Sequence, residues 1–104
     1  MTLSEIENLR ELAVQSKIYW SKHCLERMQE RDISRKDVIN CIEVGDIIEN
    51  YPDDFPNPSY LILGVCIDNK PLHVVVGSDG SLLYIITTYY PNLIKFYEDY
   101  KTRR

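Results

Sequence analysis

The chain has 104 residues, of which 44% are hydrophobic and 27% are charged, and this composition suits one globular domain (1–104). A net charge of −4 argues against a protein that binds nucleic acid through bulk positive charge, but it is compatible with a local basic site. Because no apolar run approaches about 18 residues and no signal pattern opens the sequence, we expect a cytoplasmic protein without membrane association.

A helical stripe opens the sequence, with apolar side chains at Leu3, Ile6, Leu9 and Ala13. The stripe predicts an amphipathic helix over residues 3–15, which Thr2 or Ser4 would cap with a side-chain oxygen. Residues 16–20 then carry bulky apolar side chains, and we expect them to form a short extended link to the next element.

Two further helices are predicted before the periodicity changes. Residues 21–31 form the second helix, with Ser21 as its N-cap. The third helix begins at Ser34, which opens a capping-box pattern. It should end at Gly45, because glycine commonly occupies the position after the last helical turn.

Beyond Gly45 the apolar pattern has the period of β-strands, which predicts four strands at residues 47–51, 60–67, 72–77 and 82–90. Their short connections are typical of an antiparallel meander. Pro91 should end the sheet, and the aromatic residues after it fit a short C-terminal helix that packs back on the fold. The sequence therefore predicts an α+β fold with N-terminal helices packed on a four-stranded antiparallel β-sheet.

A polar ridge on the second helix is the main functional signal. Spacings of four residues place three side chains along one side of this helix: His23, Arg27 and Arg31. Two arginines so placed repel each other by roughly a few tenths of a kcal/mol unless an anion lies between them. The anion could be a ligand phosphate or a carboxylate of the protein itself, and the sequence leaves both open. Arg31 should be partly buried, because it falls between the ridge and an apolar side formed by Cys24, Leu25 and Met28.

The strands carry further polar candidates. If its strand alternates, His73 faces away from three apolar neighbours, Leu72, Val74 and Val76. It could be a base or a structural histidine. Thr87 and Thr88 end the last strand, where they could contact a ligand or simply favour the extended backbone.

The standard motifs of metal and cofactor enzymes are missing from the sequence. It has no phosphate-binding glycine loop, no zinc pattern and no nucleophile elbow, and Cys24, Cys41 and Cys66 are far apart. We expect these cysteines to be reduced and buried, and we expect no metal and no cofactor. Any catalysis would then use histidine, arginine, tyrosine or threonine. This set suits metal-independent cleavage of RNA phosphodiester bonds, and it suits simple binding as well.

Three blocks, taken in order, resemble a known family. Ser21-x-His23-x-x-x-Arg27-Met28-x-x-Arg31 is followed by Pro71-Leu72-His73-Val74-Val75-Val76 and then by Ile86-Thr87-Thr88-Tyr89-Tyr90-Pro91. Over roughly residues 18–104 this order resembles the small prokaryotic proteins of domain-of-unknown-function family 4258, which have been grouped with the barnase–RelE-like ribonucleases and toxins. The resemblance implies helices on a four-stranded antiparallel sheet. It also implies a site at His23, Arg27, Arg31, His73 and Thr87 or Thr88.

Three functions stay open. In the first, the protein is a toxin-like, metal-independent endoribonuclease, with RNA as its substrate and an antitoxin protein as its partner. In the second, it is a non-catalytic module that binds a protein or a nucleotide on the same scaffold, and in the third it is an inactive remnant. The first function predicts that His23 and Arg31 reach the same cleft as His73 or Thr88.

Overall fold

The structure is a computed structural model that describes residues 4–104, so the predicted contributions of Thr2 and Leu3 lie outside the described residues. It contains three helices: α1 (Glu5–Val14), α2 (Lys22–Glu30) and α3 (Arg35–Val44). Each helix begins after a serine whose hydroxyl accepts a hydrogen bond from a backbone N–H of the first turn. The three predicted helices therefore form close to their expected positions.

Four strands form the predicted antiparallel meander: β2 (Asp46–Tyr51), β3 (Ser59–Val65), β4 (Pro71–Ser78) and β5 (Leu83–Tyr89). A fifth strand, β1 (Ile18–Trp20), precedes them in the chain. The sheet order is β1-β5-β4-β3-β2, so β1 and β2 are the two edges. The fold is α+β, as predicted, but its sheet is mixed.

The strand β1 corrects the prediction of a four-stranded, wholly antiparallel sheet. The sequence predicts only an extended link at residues 16–20, whereas Ile18 to Trp20 pair in parallel with Leu83 to Ile85. Three residues are too few to show a strand period, so the local pattern does not reveal the pairing. The pairing satisfies backbone groups along the outer edge of β5, where Leu83 N donates to Lys17 O at 2.9 Å.

The helices cover one face of the sheet and enclose the hydrophobic core. Sheet side chains that point into this core include Ile62, Leu72, Val74, Val76 and Ile85. The three cysteines are buried and free, as predicted. Within residues 4–104 no helix has both the length and the apolar character required to cross a bilayer.

Two glycines let α3 approach β3 closely. A Cβ atom on Gly64 would lie 2.5 Å from Cys41 O, and one on Gly45 would lie 2.5 Å from both Cys41 O and Leu63 O. Gly45 caps α3 with a φ of −90°, which is not the left-handed conformation that ends many helices. Close packing, and not a left-handed turn, is therefore the reason for glycine at this helix end.

The last 14 residues (91–104, the C-terminal segment) form turns and one isolated bridge between Phe96 and Arg103, and the predicted C-terminal helix is wrong. Side chains within the segment bind the backbone instead. Asn92 Oδ1 accepts from two N–H groups, and Asp99 Oδ1 accepts from two more. Such local bonds compete with helical ones. The predicted aromatic packing is confirmed for Phe96, which is buried on the sheet face opposite the helices, whereas Tyr97 is exposed.

Candidate functional site

A cavity of about 350 Å³ opens where the end of α2, the end of β5 and the C-terminal segment meet. Seven residues line it: Arg31, Tyr89, Tyr90, Asn92, Lys95, Phe96 and Arg103. Three of them are cationic and two are tyrosines. A chain of net negative charge thus gathers positive charge at one hollow, which is the chemistry that an anion such as phosphate requires.

Arg31 reaches the cavity because it is the C-cap of α2, where the helix turns toward β5. Its Nη1 donates to Thr88 O at 2.9 Å and lies 3.4 Å from Thr87 Oγ1. The side chain is exposed, although the sequence predicted partial burial. Within residues 4–104 the Nε and Nη2 donors of Arg31 have no hydrogen-bond partner, so they are open to an anion.

The turn after α2 holds Arg31 in this position. Asp32 adopts a left-handed conformation with φ of 57°, which aspartate tolerates better than most residues. Its carbonyl oxygen accepts a 3.0 Å hydrogen bond from Tyr90 Oη. The helix end is therefore tied to the strand end at both Arg31 and Asp32.

The C-terminal segment supplies the other two cations. Arg103 forms a bidentate pair with Glu49 of β2, at 2.6 and 2.9 Å, and its guanidinium lies 4.8 Å from the centre of the Phe96 ring. Lys95 makes no ion pair within the part of the chain that the structure describes. Lys95 and Arg31 are therefore the cations most available to a ligand.

His73 lies directly behind the cavity and is fully buried. It faces away from its apolar neighbours in β4, as strand alternation predicted, and contacts the rings of Phe96 and Tyr89 edge-on. Its Nε2 lies 2.6 Å from Tyr100 O, and because a carbonyl oxygen only accepts, Nε2 carries the proton. Nδ1 is then an acceptor, and it faces Tyr89 Oη at 3.4 Å.

Burial is the main influence on the pKa values of His73 and Tyr89. It lowers the pKa of His73, although the hydrogen bond to Tyr100 and the charge of Glu49 partly oppose that effect. Burial also raises the pKa of Tyr89. Both groups are therefore neutral at pH 7, with Tyr89 as the member of the pair that lines the cavity.

Thr87 and Thr88 take different positions at the end of β5. Thr88 is buried, and its hydroxyl donates to His73 O at 2.8 Å, which ties β5 to β4. Thr88 therefore meets Arg31 through its carbonyl oxygen and not through its hydroxyl. Thr87 is half-buried, with its hydroxyl close to the Arg31 guanidinium.

His23 and Arg27 stand apart from the cavity and do not line it. His23 is exposed on the first turn of α2 and makes no hydrogen bond with another described side chain. Arg27 pairs with Glu30 on the same helix at 2.7 Å, which is the internal partner that the sequence left open. The structure thus brings Arg31, Thr87, Thr88 and His73 together and leaves His23 and Arg27 on the outer surface.

Sequence reasoning did not assign Tyr89, Lys95 or Arg103 to the site. Tyr89 is the cross-strand partner of His73, a fact that depends on the register between β4 and β5. A bulge in this strand pair shifts the register, so counting residues along each strand would not have identified the partner. Lys95 and Arg103 depend on the path of the C-terminal segment, which the sequence predicted as a helix.

A second hollow, of about 320 Å³, lies on the open part of the same sheet face and has a different character. Phe55, Tyr84 and Ile86 line it together with Asp54, and no lysine or arginine does. Its lining is poorly suited to a phosphate. Among residues 4–104 no group of three or more His, Cys, Asp or Glu side chains is placed to hold a metal ion.

One comparison with known proteins is informative. The family described as "Domain of unknown function (DUF4258)" matches residues 20–90, more than half of the chain. The match spans α2 through β5, including Arg31, His73 and Tyr89, and ends before the C-terminal segment. Comparisons with curated proteins and with solved structures found no match.

Proposed function

The chain belongs to the DUF4258 family, and from the resemblance of this family to the barnase–RelE-like ribonucleases we propose that it is a metal-independent endoribonuclease. The observation that carries the proposal is the cavity, where Arg31 and Lys95 offer positive charge beside the hydroxyl of Tyr89. RNA is the proposed substrate. A toxin-like role, with an antitoxin protein as partner, is part of the same proposal, and an antitoxin-like reading frame beside the gene would support it.

The proposed reaction is attack of a ribose 2′-oxygen on the adjacent phosphorus. The bond from phosphorus to the 5′-oxygen breaks, which leaves a 2′,3′-cyclic phosphate and a 5′-hydroxyl end. Negative charge grows on the phosphoryl oxygens in the transition state. The free Nε and Nη2 donors of Arg31 are suited to stabilise that charge.

The proton of the 2′-hydroxyl needs an acceptor. Tyr89 lines the cavity, and its Oη lies 3.4 Å from His73 Nδ1, which is unprotonated. In the proposed transfer, Tyr89 takes the substrate proton as its own proton passes to His73 Nδ1, and the reverse transfer, from His73 through Tyr89, then protonates the departing 5′-oxygen. The nearby carboxylate of Glu49 favours the imidazolium that forms.

The test is cleavage of labelled RNA by the full chain, with and without ribosomes, in buffer that contains EDTA. We expect cleavage to continue in EDTA and to leave cyclic phosphate ends, and we expect induced expression to slow the growth of a bacterial host. If RNA stays intact in every condition and growth is unaffected, the protein is not a ribonuclease.

One observation favours the second candidate, a non-catalytic module that binds a nucleotide or protein. Both ring nitrogens of His73 are engaged and the ring is fully buried, so the base does not face the cavity directly. Binding of a nucleotide in the cavity without turnover would support this function. Titration with a short, non-cleavable 2′-deoxy oligonucleotide measures binding separately from cleavage.

A further inference from the structure

The C-terminal segment lies across the sheet face opposite the helices, and three contacts tie it to that face. Phe96 is buried against His73, Tyr100 O accepts from His73 Nε2, and Arg103 pairs with Glu49. These three contacts are spread along the segment. They hold it to β4 and β2, the strands that carry His73 and Glu49.

The sheet surface on this side combines the buried Leu61 of β3 with several titratable side chains. It presents Glu49 and Tyr51 from β2, His73 from β4 and Tyr89 from β5, and Tyr51 Oη donates to Glu49. The opposite face of the same strands is lined by aliphatic side chains, as a permanently covered face normally is. Burying a titratable side chain lowers the stability of the fold unless the side chain has a hydrogen-bond or ion-pair partner. Here the C-terminal segment itself provides partners for His73 and Glu49.

The segment is held together by its own backbone. Its backbone hydrogen bonds are internal: Tyr97 N donates to Thr102 O at 2.8 Å, and Arg104 N donates to Lys95 O at 3.0 Å. Within the described residues no backbone N–H of the segment donates to the sheet. Lifting it would therefore leave every strand pairing intact, and most of its side chains are already exposed.

We propose that the C-terminal segment is an autoinhibitory cover, closed in this structure, that must lift before His73 can exchange protons with a ligand. Arg31 and Tyr89 belong to the body of the fold and stay in place when it lifts, whereas Lys95 and Arg103 move with the segment, so Arg31 is the cation of the cavity lining that remains. Arg103 is then released from Glu49. This regulation concerns the site of the proposed ribonuclease and rests on that proposal for its biological meaning, whereas the opening itself is a property of the fold.

Chemical modification of the two histidines tests the opening directly. Diethyl pyrocarbonate reacts with accessible imidazole, and mass spectrometry locates the adduct. His23 is exposed and serves as the internal standard, whereas His73 reacts only when the cover lifts. Hydrogen exchange of the β4 amides, measured on the same sample, gives the free energy of global unfolding and hence the fraction of His73 that global unfolding exposes.

Two variants of the full chain are compared with the parent. Arg103→Met removes the pair with Glu49 but keeps an apolar stem, and Lys101→Met removes a charge from the same segment where no ion pair is described. We expect His73 in the parent to react faster than global unfolding allows. In Arg103→Met the reaction should be about fivefold faster still, while Lys101→Met matches the parent and β4 exchange is unchanged.

The proposal is overturned if His73 reacts at the global unfolding rate in the parent and in Arg103→Met. A double variant, Glu49→Arg with Arg103→Glu, should restore the parent rate, because the pair is rebuilt with its charges exchanged. If His73 becomes reactive as expected but RNA stays intact, the proposed cover is supported and the proposed ribonuclease activity is refuted. If RNA is cleaved while His73 reacts only as fast as global unfolding allows, the proposed ribonuclease activity is supported and the proposed cover is refuted.

Discussion

Replacing Arg31 with alanine separates a role in catalysis from a role in folding. The side chain is exposed and makes one short hydrogen bond, 2.9 Å to Thr88 O. Losing that bond should lower the free energy of unfolding by about 1 kcal/mol, or the melting temperature by about 4–8 °C for a domain of this size. Losing a preorganised guanidinium from the transition state should raise the barrier by about 3 kcal/mol, which slows cleavage about a hundredfold.

The matched control is Arg27→Ala. Arg27 lies one turn earlier on the same helix and loses the same charge, but its partner is Glu30 on the surface and it does not line the cavity. This variant should cost less than about 0.5 kcal/mol of stability and leave cleavage within about twofold of the parent. The measurements are kcat/KM on a short RNA in EDTA and a thermal melt followed by circular dichroism.

Three results would refute the reasoning about Arg31. Equal losses of activity in both variants would indicate a general effect of charge. A rate for Arg31→Ala equal to that of the parent would remove Arg31 from the site. Unfolding of Arg31→Ala would show that the contact with Thr88 is mainly structural.

Two further predictions concern packing and pH. Gly64→Ala should destabilise the fold by at least about 2 kcal/mol, because its Cβ would lie 2.5 Å from Cys41 O. The control is Gly77→Ala, whose Cβ would meet only ordinary contacts, the nearest at 3.5 Å, and which should therefore cost much less. Urea denaturation of both variants would measure the difference, and equal losses of stability would contradict the close approach of α3. The free energy of unfolding should also fall as the pH drops from 7 to 5, because burial lowers the pKa of His73 and the unfolded chain therefore binds more protons below about pH 6.5. Urea midpoints should show a shallower fall for His73→Gln, and an equal fall in that variant would assign the effect to another group.

The helices and the meander could be predicted because their signals are local. A serine that caps a helix satisfies backbone groups within one turn, and Ser4, Ser21 and Ser34 do so here. Strand alternation likewise identified the face that His73 occupies. None of these features depends on residues far away in the chain.

The features that could not be predicted depend on distant partners. The strand β1 exists because β5 offers it an edge, 65 residues later for Ile18 and Leu83. The C-terminal segment is not a helix, because Asn92 and Asp99 bind nearby backbone groups and Phe96 is held against His73. Helical periodicity in its aromatic residues was real, but these competing contacts prevail.

The site shows the same division. Arg31 was identified from its spacing along α2, and its contact with Thr88 follows from where that helix ends. Tyr89 required the register of β4 and β5, and Arg103 required the path of the C-terminal segment. The local sequence pattern therefore located the part of the cavity that α2 forms. The parts formed by β5 and by the C-terminal segment required the tertiary structure.

The charge distribution limits what the proposed ribonuclease can do alone. The chain carries a net charge of −4, and of the three cations at the cavity, Arg103 is already paired with Glu49. Arg31 and Lys95 can neutralise about one phosphate, whereas tight binding of free RNA usually needs many such contacts. An RNA that is held by a larger assembly removes this requirement, because the assembly supplies the affinity and the cavity needs only to engage the scissile phosphate. For this reason the cleavage assay compares free RNA with RNA on ribosomes, and we expect the faster reaction on the ribosome.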